Sequence, residues 1–212
     1  MCLLSVIIPS YERPNSLNKC LFFLNRQTLA NGLYEVIICD DGSEYEIENA
    51  IKQDNLKFSL TVLRQEKKGP AAARNFAISK ARGKYLLFLN DDALVHPKLL
   101  ATHLDQLNDK PATAVLGSFP LLPKYTNNPF GYILNTGQAL FGFNGLKAND
   151  YCDYDHFYTC NISISKAIVE ESNGFDEQFK AAAAEDIDLG YRLQKQGYPI
   201  FYAPDCQAWH DH

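Results

Sequence analysis

No two of the six cysteines (Cys2, Cys20, Cys39, Cys152, Cys160, Cys206) stand in a C-x-x-C pair, so the sequence carries neither zinc-ligand spacing nor a redox motif. Scattered in this way, they read as buried free thiols rather than as a disulfide framework. No apolar run approaches the ~18 residues of a membrane span. The first apolar segment starts too close to Met1 for a signal peptide to precede it. A cytoplasmic protein is therefore expected, with membrane association peripheral at most, and in that compartment the Asn161-Ile162-Ser163 sequon carries no weight. Positive charge is not in excess either, although a local basic patch stays open. The net charge of −5 argues against a nucleic-acid or anionic-membrane partner, because neutralising a run of phosphates needs concentrated positive charge. No charge block, low-complexity tract or internal repeat interrupts the 212 residues. The whole chain should fold as one domain, with a core large enough to need no staple.

What the sequence does contain is an alternation of two periodicities. The run LLSVIIPSY (3–11) is β-branched and apolar on both faces, as a central parallel strand requires, and it stops at Pro9. Leu17, Cys20, Leu21 and Leu24 recur at helical spacing between Asn15 and Leu29, and YEVIICDDGS (34–43) reads as a second buried strand. A charged helical stretch (44–54), a strand (58–65), a helix (70–81) and a strand (84–92) continue the pattern. After Pro97 come a helix to Asn108 and a strand (112–119). The region 120–155, rich in Gly, Asn, Pro and aromatics, is expected to form loops over a site. Order returns with a strand (157–165), helices near 166–172 and 185–196, a turn at Asn173-Gly174 and a last strand around 199–203. Such alternation implies an α/β fold with a mainly parallel sheet and right-handed crossovers.

In such a sheet, ligands bind outside the carboxyl ends of the strands. Asp40-Asp41 closes the second strand and Asp91-Asp92 the strand of 84–89. Each pair alone reads as a surface turn. Together on one edge they repel, which favours a cation or a hydrogen-bonded polar ligand between them. No G-x-G-x-x-G follows the first strand, against a dinucleotide-dependent oxidoreductase. Ser10-Tyr11-Glu12-Arg13-Pro14 is likewise not the Gly-rich basic loop expected of a nucleotidyltransferase that makes sugar nucleotides.

The segments SVIIPSYERP, VIICDDGS, GPAAARNFAIS, LLFLNDDALVHP and NGFDEQF…AAAEDIDLGYRLQKQGY follow one another over almost the whole chain. In their order and spacing the chain resembles glycosyltransferase family 2. The resemblance implies the GT-A fold, Rossmann-like, with 1–95 as the nucleotide-binding half and 96–212 as the acceptor-side half. It also implies an inverting transfer of a sugar from a nucleotide donor, a UDP-sugar, to a hydroxyl of a carbohydrate or lipid-linked glycan acceptor, as in polysaccharide biosynthesis. A functional segment ends close to His212, which leaves room for a longer native chain.

By the same resemblance, Pro9, Tyr11 and Glu12 match the loop that holds the nucleotide base. Asp40 matches the acid that accepts a hydrogen bond from the uracil ring, and Arg74 a basic residue facing the nucleotide, the plainer option being an exposed helix Arg. Asn90-Asp91-Asp92 stands in the D-x-D place, departing from it only at Asn90. Asp91 is implied to contact the ribose or the metal shell, and Asp92 to ligate a divalent cation, Mn²⁺ or Mg²⁺. His210 would add an imidazole ligand and tilt the choice toward Mn²⁺. His212 is its rival, and a structural histidine is the ordinary alternative. Asp186 is implied as the general base and Glu185 as an acceptor contact, although acids at a helix start also serve simply as caps. Asp188 is expected to face elsewhere, Asp176 and Glu177 to fix a turn, and Trp209 to be either core or a sugar platform. A nucleotidyltransferase and a non-catalytic relative are the alternatives. The reading requires Asp40, Asp92 and Asp186 to line one common cavity.

Overall fold

The computed structural model describes residues 2–136, 141–182 and 184–211. In chain order the elements are β1 (Leu4–Ser10), α1 (Pro14–Leu24), β2 (Tyr34–Asp40), α2 (Ile47–Ala50), β3 (Ser59–Arg64), α3 (Pro70–Lys80), β4 (Tyr85–Leu89), β5 (Ala93–Val95), α4 (Leu99–Asp109) and β6 (Ala114–Ser118). Then follow α5 (Pro123–Thr126), α6 (Pro129–Thr136), β7 (Asp150–Cys152), a 3₁₀ turn (Tyr154–His156), β8 (Asn161–Ser165), α7 (Lys166–Glu171), α8 (Glu185–Lys195) and β9 (Ile200–His210).

The strands form one sheet in the order β3-β2-β1-β4-β8-β6-β9-β5, with β7 also on β9. The parallel arrangement holds across β3, β2, β1 and β4. Beyond β4 the sheet is mixed: β8 is antiparallel to both β4 and β6, β9 runs parallel to β6, and β5 and β7 lie antiparallel on β9. Side chains alternate across the pleat, so β1 supplies two cores. Leu4, Val6 and Ile8 pack with Leu17, Leu21 and Leu24 of α1 and with Leu100 and Leu104 of α4. Ile7 faces the other side, with Ala73 and Ala77 of α3 and Leu189 and Leu193 of α8.

Several boundaries differ from expectation, each for a local reason. Helix α1 ends at Leu24 because Gln27 is drawn to the 96–100 turn, donating to the His96 carbonyl and accepting from the Leu100 amide. The 44–54 stretch makes only the four-residue α2; Ile47 and Ile51 are its buried apolar residues, too few for a helical stripe. The last strand does not stop at 203. Pro204 sits where the β6 register shifts, from Leu116↔Tyr202 to Ser118↔Gln207, and β9 then continues to His210 against β5. Region 120–155 carries α5, α6, β7 and the 3₁₀ turn as well as loops. The six cysteines are free thiols, as expected. Among the described residues no helix is long and apolar enough to cross a membrane. Asn161 and Ser163 of the sequon are buried in β8.

Those two residues hold His103 of α4 in a sealed polar network. Asn161 Nδ2 donates to the carbonyls of Ser118 and Cys206, which fixes Asn161 Oδ1 as the acceptor of the His103 Nε2 proton at 3.0 Å. His103 Nδ1 therefore accepts from the Ser163 hydroxyl at 2.7 Å. Gly117 passes so close to this network that a Cβ there would meet Asn161 Nδ2 at 2.2 Å, which no side chain allows. Burial pushes the His103 pKa down to about 4, against a weaker upward pull from Asn161. The unfolded chain takes up a proton below 6.5 that the native state refuses until about 4. Stability should therefore fall by roughly 3 kcal/mol as pH drops across that window. Denaturant unfolding of His103→Gln at pH 7 and pH 4.5 should show lower stability at pH 7 but a shallower loss with acid. Equal losses in the two proteins would remove His103 as the cause.

Candidate active site

The carboxyl ends of β1, β2 and β4 share one edge of the sheet, and three cavities open along it and its continuation. A cleft of about 440 Å³ is walled by Pro9 at the end of β1 and Tyr11 and Arg13 after it, Asp41 after β2, Lys67 and Gly69 before α3 and Arg74 within it, and Asn90 and Asp91 after β4. Lys180 to Ala182 close it from the other side. Gly69 has φ +96 and would place a Cβ 2.4 Å from the Lys180 carbonyl oxygen, so glycine is what lets this loop cross the start of α3. A second cavity of about 330 Å³ shares Arg74, Asn90 and Ala182 with the cleft and adds Tyr158, Thr159, Glu185 and Asp186. A third, of about 260 Å³, is lined by Phe119, Phe141, Phe143, Tyr202 and His210.

Asp91 and Asp92 are buried side by side after β4. Asp91 Oδ2 accepts from the Ser10 hydroxyl at 2.7 Å, and its Oδ1 lies 3.1 Å from Arg13 Nη1. Burial pushes the Asp91 pKa up to about 6, with Asp92 adding to the rise while Arg13 and Ser10 oppose it. For Asp92, burial works against the charge too, but hydrogen bonds and charges from His210 and Arg13 outweigh it and hold the carboxyl below its ordinary range. Asp92 Oδ2 lies 2.8 Å from Arg13 Nη2 and 3.2 Å from His210 Nε2. Asp92 Oδ1 is buried with no hydrogen-bond partner.

His210 reaches Asp92 because β9 runs on to pair with β5, setting His210 opposite Ala93. Phe119 stacks on the imidazole at 5.3 Å. The neighbouring Asp211 amide donates to the Asp92 carbonyl at 3.1 Å. The Asp211 side chain accepts from Lys19, Lys124 and Tyr125 at 2.7, 2.6 and 2.8 Å, tying the strand end to α1 and α5. Those donors hold its carboxyl far below the usual range despite the opposing effect of burial. His212 lies outside the described residues.

Arg74 of α3 and Glu185 at the head of α8 form a buried ion pair of 2.7 Å. Glu185 holds Arg74 and also lines the second cavity beside Asp186. Arg74 is buried, not an exposed helix Arg, and its Nε lacks a hydrogen-bond partner. Asp186 points into the second cavity. Its Oδ2 accepts from the Thr159 amide and hydroxyl, both at 3.3 Å, and its Oδ1 from the Ile187 amide at 2.9 Å. Burial and the charge of Glu185 raise its pKa, against the pull of Arg74 and the backbone donors.

The nucleotide-side residues divide. Pro9 and Tyr11 wall the cleft. Glu12 does not; it takes φ 56, donates its amide to Ser43 Oγ and accepts from the Glu44 amide, clasping the β1 and β2 loops together. Asp40 is almost fully buried, its Oδ1 accepting from the amide and hydroxyl of Ser43, while its Oδ2 lacks a hydrogen bond and lies 3.8 Å from Arg64 Nε. The cleft itself meets Asp41, whose oxygens hold the amides of Lys68 and Gly69 and the side chain of Gln65. Asp40, Asp92 and Asp186 thus share none of these three cavities, so the arrangement the sequence reading required is not found, and that reading now rests on the family match and on Asp186 in its own cavity. The cause is local: Ser43 draws Asp40 inward, and the Arg13 guanidinium lies over Asp92.

Asp188 pairs with Arg192 along α8, Asp176 accepts from the Gln178 amide in its turn, and Glu177 takes Asn75, all away from the chemistry as expected. Trp209 sits beside His96, on the opposite side of β9 from His210, which removes it as a platform in the cleft. Sequence reasoning missed Arg13, Lys67, Lys180 and Asp211. Lys67 lies over the Tyr11 ring at 3.7 Å, and its signal was only the basic run before Gly69. Asp211 stands between two histidines, and its partners Lys19, Lys124 and Tyr125 are remote in sequence.

The family model described as Glycosyl transferase family 2 matches residues 5–172. Validoxylamine A glucosyltransferase from Streptomyces hygroscopicus subsp. limoneus is 30% identical over 226 residues, covering 93% of this chain and 49% of its own length. Chondroitin synthase from Escherichia coli is 25% identical, with 98% of this chain and 34% of that protein covered. The chain thus spans about half the length of the first relative and a third of the second. Among solved structures, S. aureus TarS 1-349 in complex with UDP superposes with TM-score 0.77 at 18% identity, covering 98% of this chain and 60% of that one. The mannosyltransferase PcManGT from Pyrobaculum calidifontis, in complex with GDP-Man and Mn2+, gives TM-score 0.75 at 20% identity over 98% and 56%. The family model, matched over most of the chain, and the 30% identical relative establish that the chain belongs to glycosyl transferase family 2.

Proposed function

We propose that this chain is an inverting glycosyltransferase that moves a sugar from a UDP-sugar to a hydroxyl of a carbohydrate or lipid-linked glycan. The observation that carries the reading is Asp186, a carboxylate with raised proton affinity in a cavity that shares Arg74 and Asn90 with the adjoining cleft. A base beside, but not inside, the donor cleft suits a single in-line displacement. The acceptor hydroxyl gives its proton to Asp186 as its oxygen bonds the anomeric carbon. The bond from that carbon to the diphosphate breaks on the opposite face, inverting the centre and releasing the nucleoside diphosphate. The Thr159 and Ile187 amides orient the carboxylate, and the Arg74–Glu185 pair fixes the head of α8. The free thiols agree with a cytoplasmic setting.

Pro9 and Tyr11 would contact the base, with Glu12 shaping their loop. Asp91, on the cleft wall, would reach the ribose, whereas Asp40, drawn inward by Ser43, would have to turn outward before its unpaired Oδ2 could accept from the uracil N–H. A divalent cation fits the residues present. Asp92 Oδ1 is a buried oxygen left unsatisfied, with His210 beside the other oxygen of the same carboxylate. Among the described residues no three His, Cys, Asp or Glu gather as a ligand set, so diphosphate oxygens would complete the shell, as is usual for hard cations at phosphate sites. Asp92 and His210 would hold the ion, the nitrogen favouring Mn²⁺ over Mg²⁺. When bound, such an ion neutralises the charge that develops on the leaving diphosphate.

Asp92→Ala should keep the fold and weaken UDP binding in Mn²⁺ by about tenfold or more; unchanged UDP affinity by calorimetry would exclude Asp92 as a ligand. Asp186→Asn should bind UDP as the wild type does, because the amide is isosteric. Its release of UDP from a UDP-sugar should fall by ~100-fold or more, since the amide cannot take the proton. Undiminished turnover would exclude Asp186 as the base. A panel of nucleotide sugars in thermal melts, with Mn²⁺ or EDTA, tests the whole reading: stabilisation by no UDP-sugar in either condition would sink it.

A further inference from the structure

The carboxylates after β4 already face a positive charge, that of Arg13. Its Nη1 lies 3.1 Å from Asp91 Oδ1 and its Nη2 2.8 Å from Asp92 Oδ2. One guanidinium therefore spans two neighbouring carboxylates, one nitrogen on each, and forgoes the two-pronged grip on a single carboxylate that is its strongest pairing. We infer that Arg13 is the chain's own counter-ion for Asp91 and Asp92, which a divalent cation must displace, so that Arg13 sets the cation affinity and couples it to the nucleotide. The inference rests on the cation reading given above.

Charge, position and freedom to move all support this exchange. Two carboxylates against one guanidinium leave one negative charge unbalanced, which a divalent ion would cancel in full. Arg13 is the N-cap residue of α1, where the positive end of the helix dipole opposes a cation, so the carboxylates are what hold it there. Its side chain is 40% exposed, against 7% and 2% for the two carboxylates, and it can swing outward without unpacking the core. His210, on the same Asp92 oxygen, is instead locked into β9 and stacked on Phe119. Arg13 also leaves Asp92 Oδ1 without a hydrogen bond, so its presence does not satisfy the pair.

Arg13 borders the 440 Å³ cleft as well. Once displaced, its guanidinium meets the phosphates of a bound nucleotide in place of the carboxylates it has lost. Cation and nucleotide then strengthen each other's binding, by the same factor in both directions.

The test is calorimetric titration of Mn²⁺ into the wild type and Arg13→Gln, each alone and with saturating UDP, together with thermal melts in EDTA. Arg13→Gln should bind Mn²⁺ alone on the order of tenfold more tightly. It should lose most of the gain in Mn²⁺ affinity that UDP confers on the wild type, and melt at a lower temperature in EDTA, where the two buried carboxylates keep only Ser10 and His210. Should that variant fail to fold, Arg13→Lys keeps the charge but can no longer put one fork nitrogen on each carboxylate, and it should still bind Mn²⁺ more tightly than the wild type. Unchanged or weaker Mn²⁺ binding in the variants, with UDP-dependent Mn²⁺ binding intact in the wild type, would overturn the role of Arg13 and leave the cation reading standing. Failure of the wild type to bind Mn²⁺ with or without UDP would overturn both.

Discussion

Asp91 and Asp92 are adjacent in sequence, both buried, and follow Asn90 after a strand whose five residues, YLLFL, are all buried. Two such carboxylates cannot both be ionised in a low-dielectric setting unless positive charge and hydrogen-bond donors converge on them. The fold supplies these from three distant places: Ser10 from the end of β1, Arg13 from the start of α1 and His210 from the end of β9. The requirement explains features that otherwise look unrelated. Strand β9 passes a proline and a register shift to reach β5, and Asp211 anchors its end with two lysines and a tyrosine. The different fates of the pair follow from the same geometry. Asp92 receives both the imidazole and a guanidinium nitrogen, while Asp91 has a hydroxyl and the longer arm of Arg13, so burial wins only at Asp91.

A second charged construction governs the head of α8. Asp186 lies in the first turn, where the helix dipole alone would favour the ionised form and lower its pKa. Burial and the adjacent Glu185 raise it instead, outweighing the pull of Arg74 and the backbone donors. Glu185 is itself neutralised by Arg74 in a pair almost closed to water. Buried pairs of this kind add little net stability, because desolvation consumes most of the attraction. What this one contributes is position: it joins α3 to α8 across the boundary between the cleft and the Asp186 cavity, the boundary across which donor and acceptor would meet.

The alternation of buried strands and helices up to β4 was legible because each element there is governed by local periodicity, and the acids at the strand ends could be read from the same pattern. The second half of the sheet was harder. Antiparallel pairing of β8, the short β5 and the full length of β9 depend on contacts between residues far apart in sequence, and Pro204 reads locally as an end. The same limit applies within the site. Asp92, Asp186 and His210 could be named from motifs, but that Ser43 would turn Asp40 inward, that Glu185 would belong to Arg74 and that Arg13 would lie across two carboxylates are facts of three-dimensional approach. Spacing along a chain does not report which of several nearby acids a given cation will choose.

The charge around the cleft also bears on what it can hold. An acidic chain, with net charge −5, nevertheless brings Arg13, Lys67, Arg74 and Lys180 to one opening. Arg74 is committed to Glu185 and Arg13 to Asp91 and Asp92, while Asp41 spends its oxygens on backbone amides and Gln65. Lys67 and Lys180 remain as exposed cations on opposite walls, one above α3 and one on the loop that precedes α8. A neutral sugar would give neither lysine an anionic partner, Lys67 having only the Tyr11 ring, and an anion without an accompanying cation would face the carboxylates after β4. On the reading proposed above, a ligand carrying two linked phosphates would meet both walls, and a cation held by Asp92 would offset its charge.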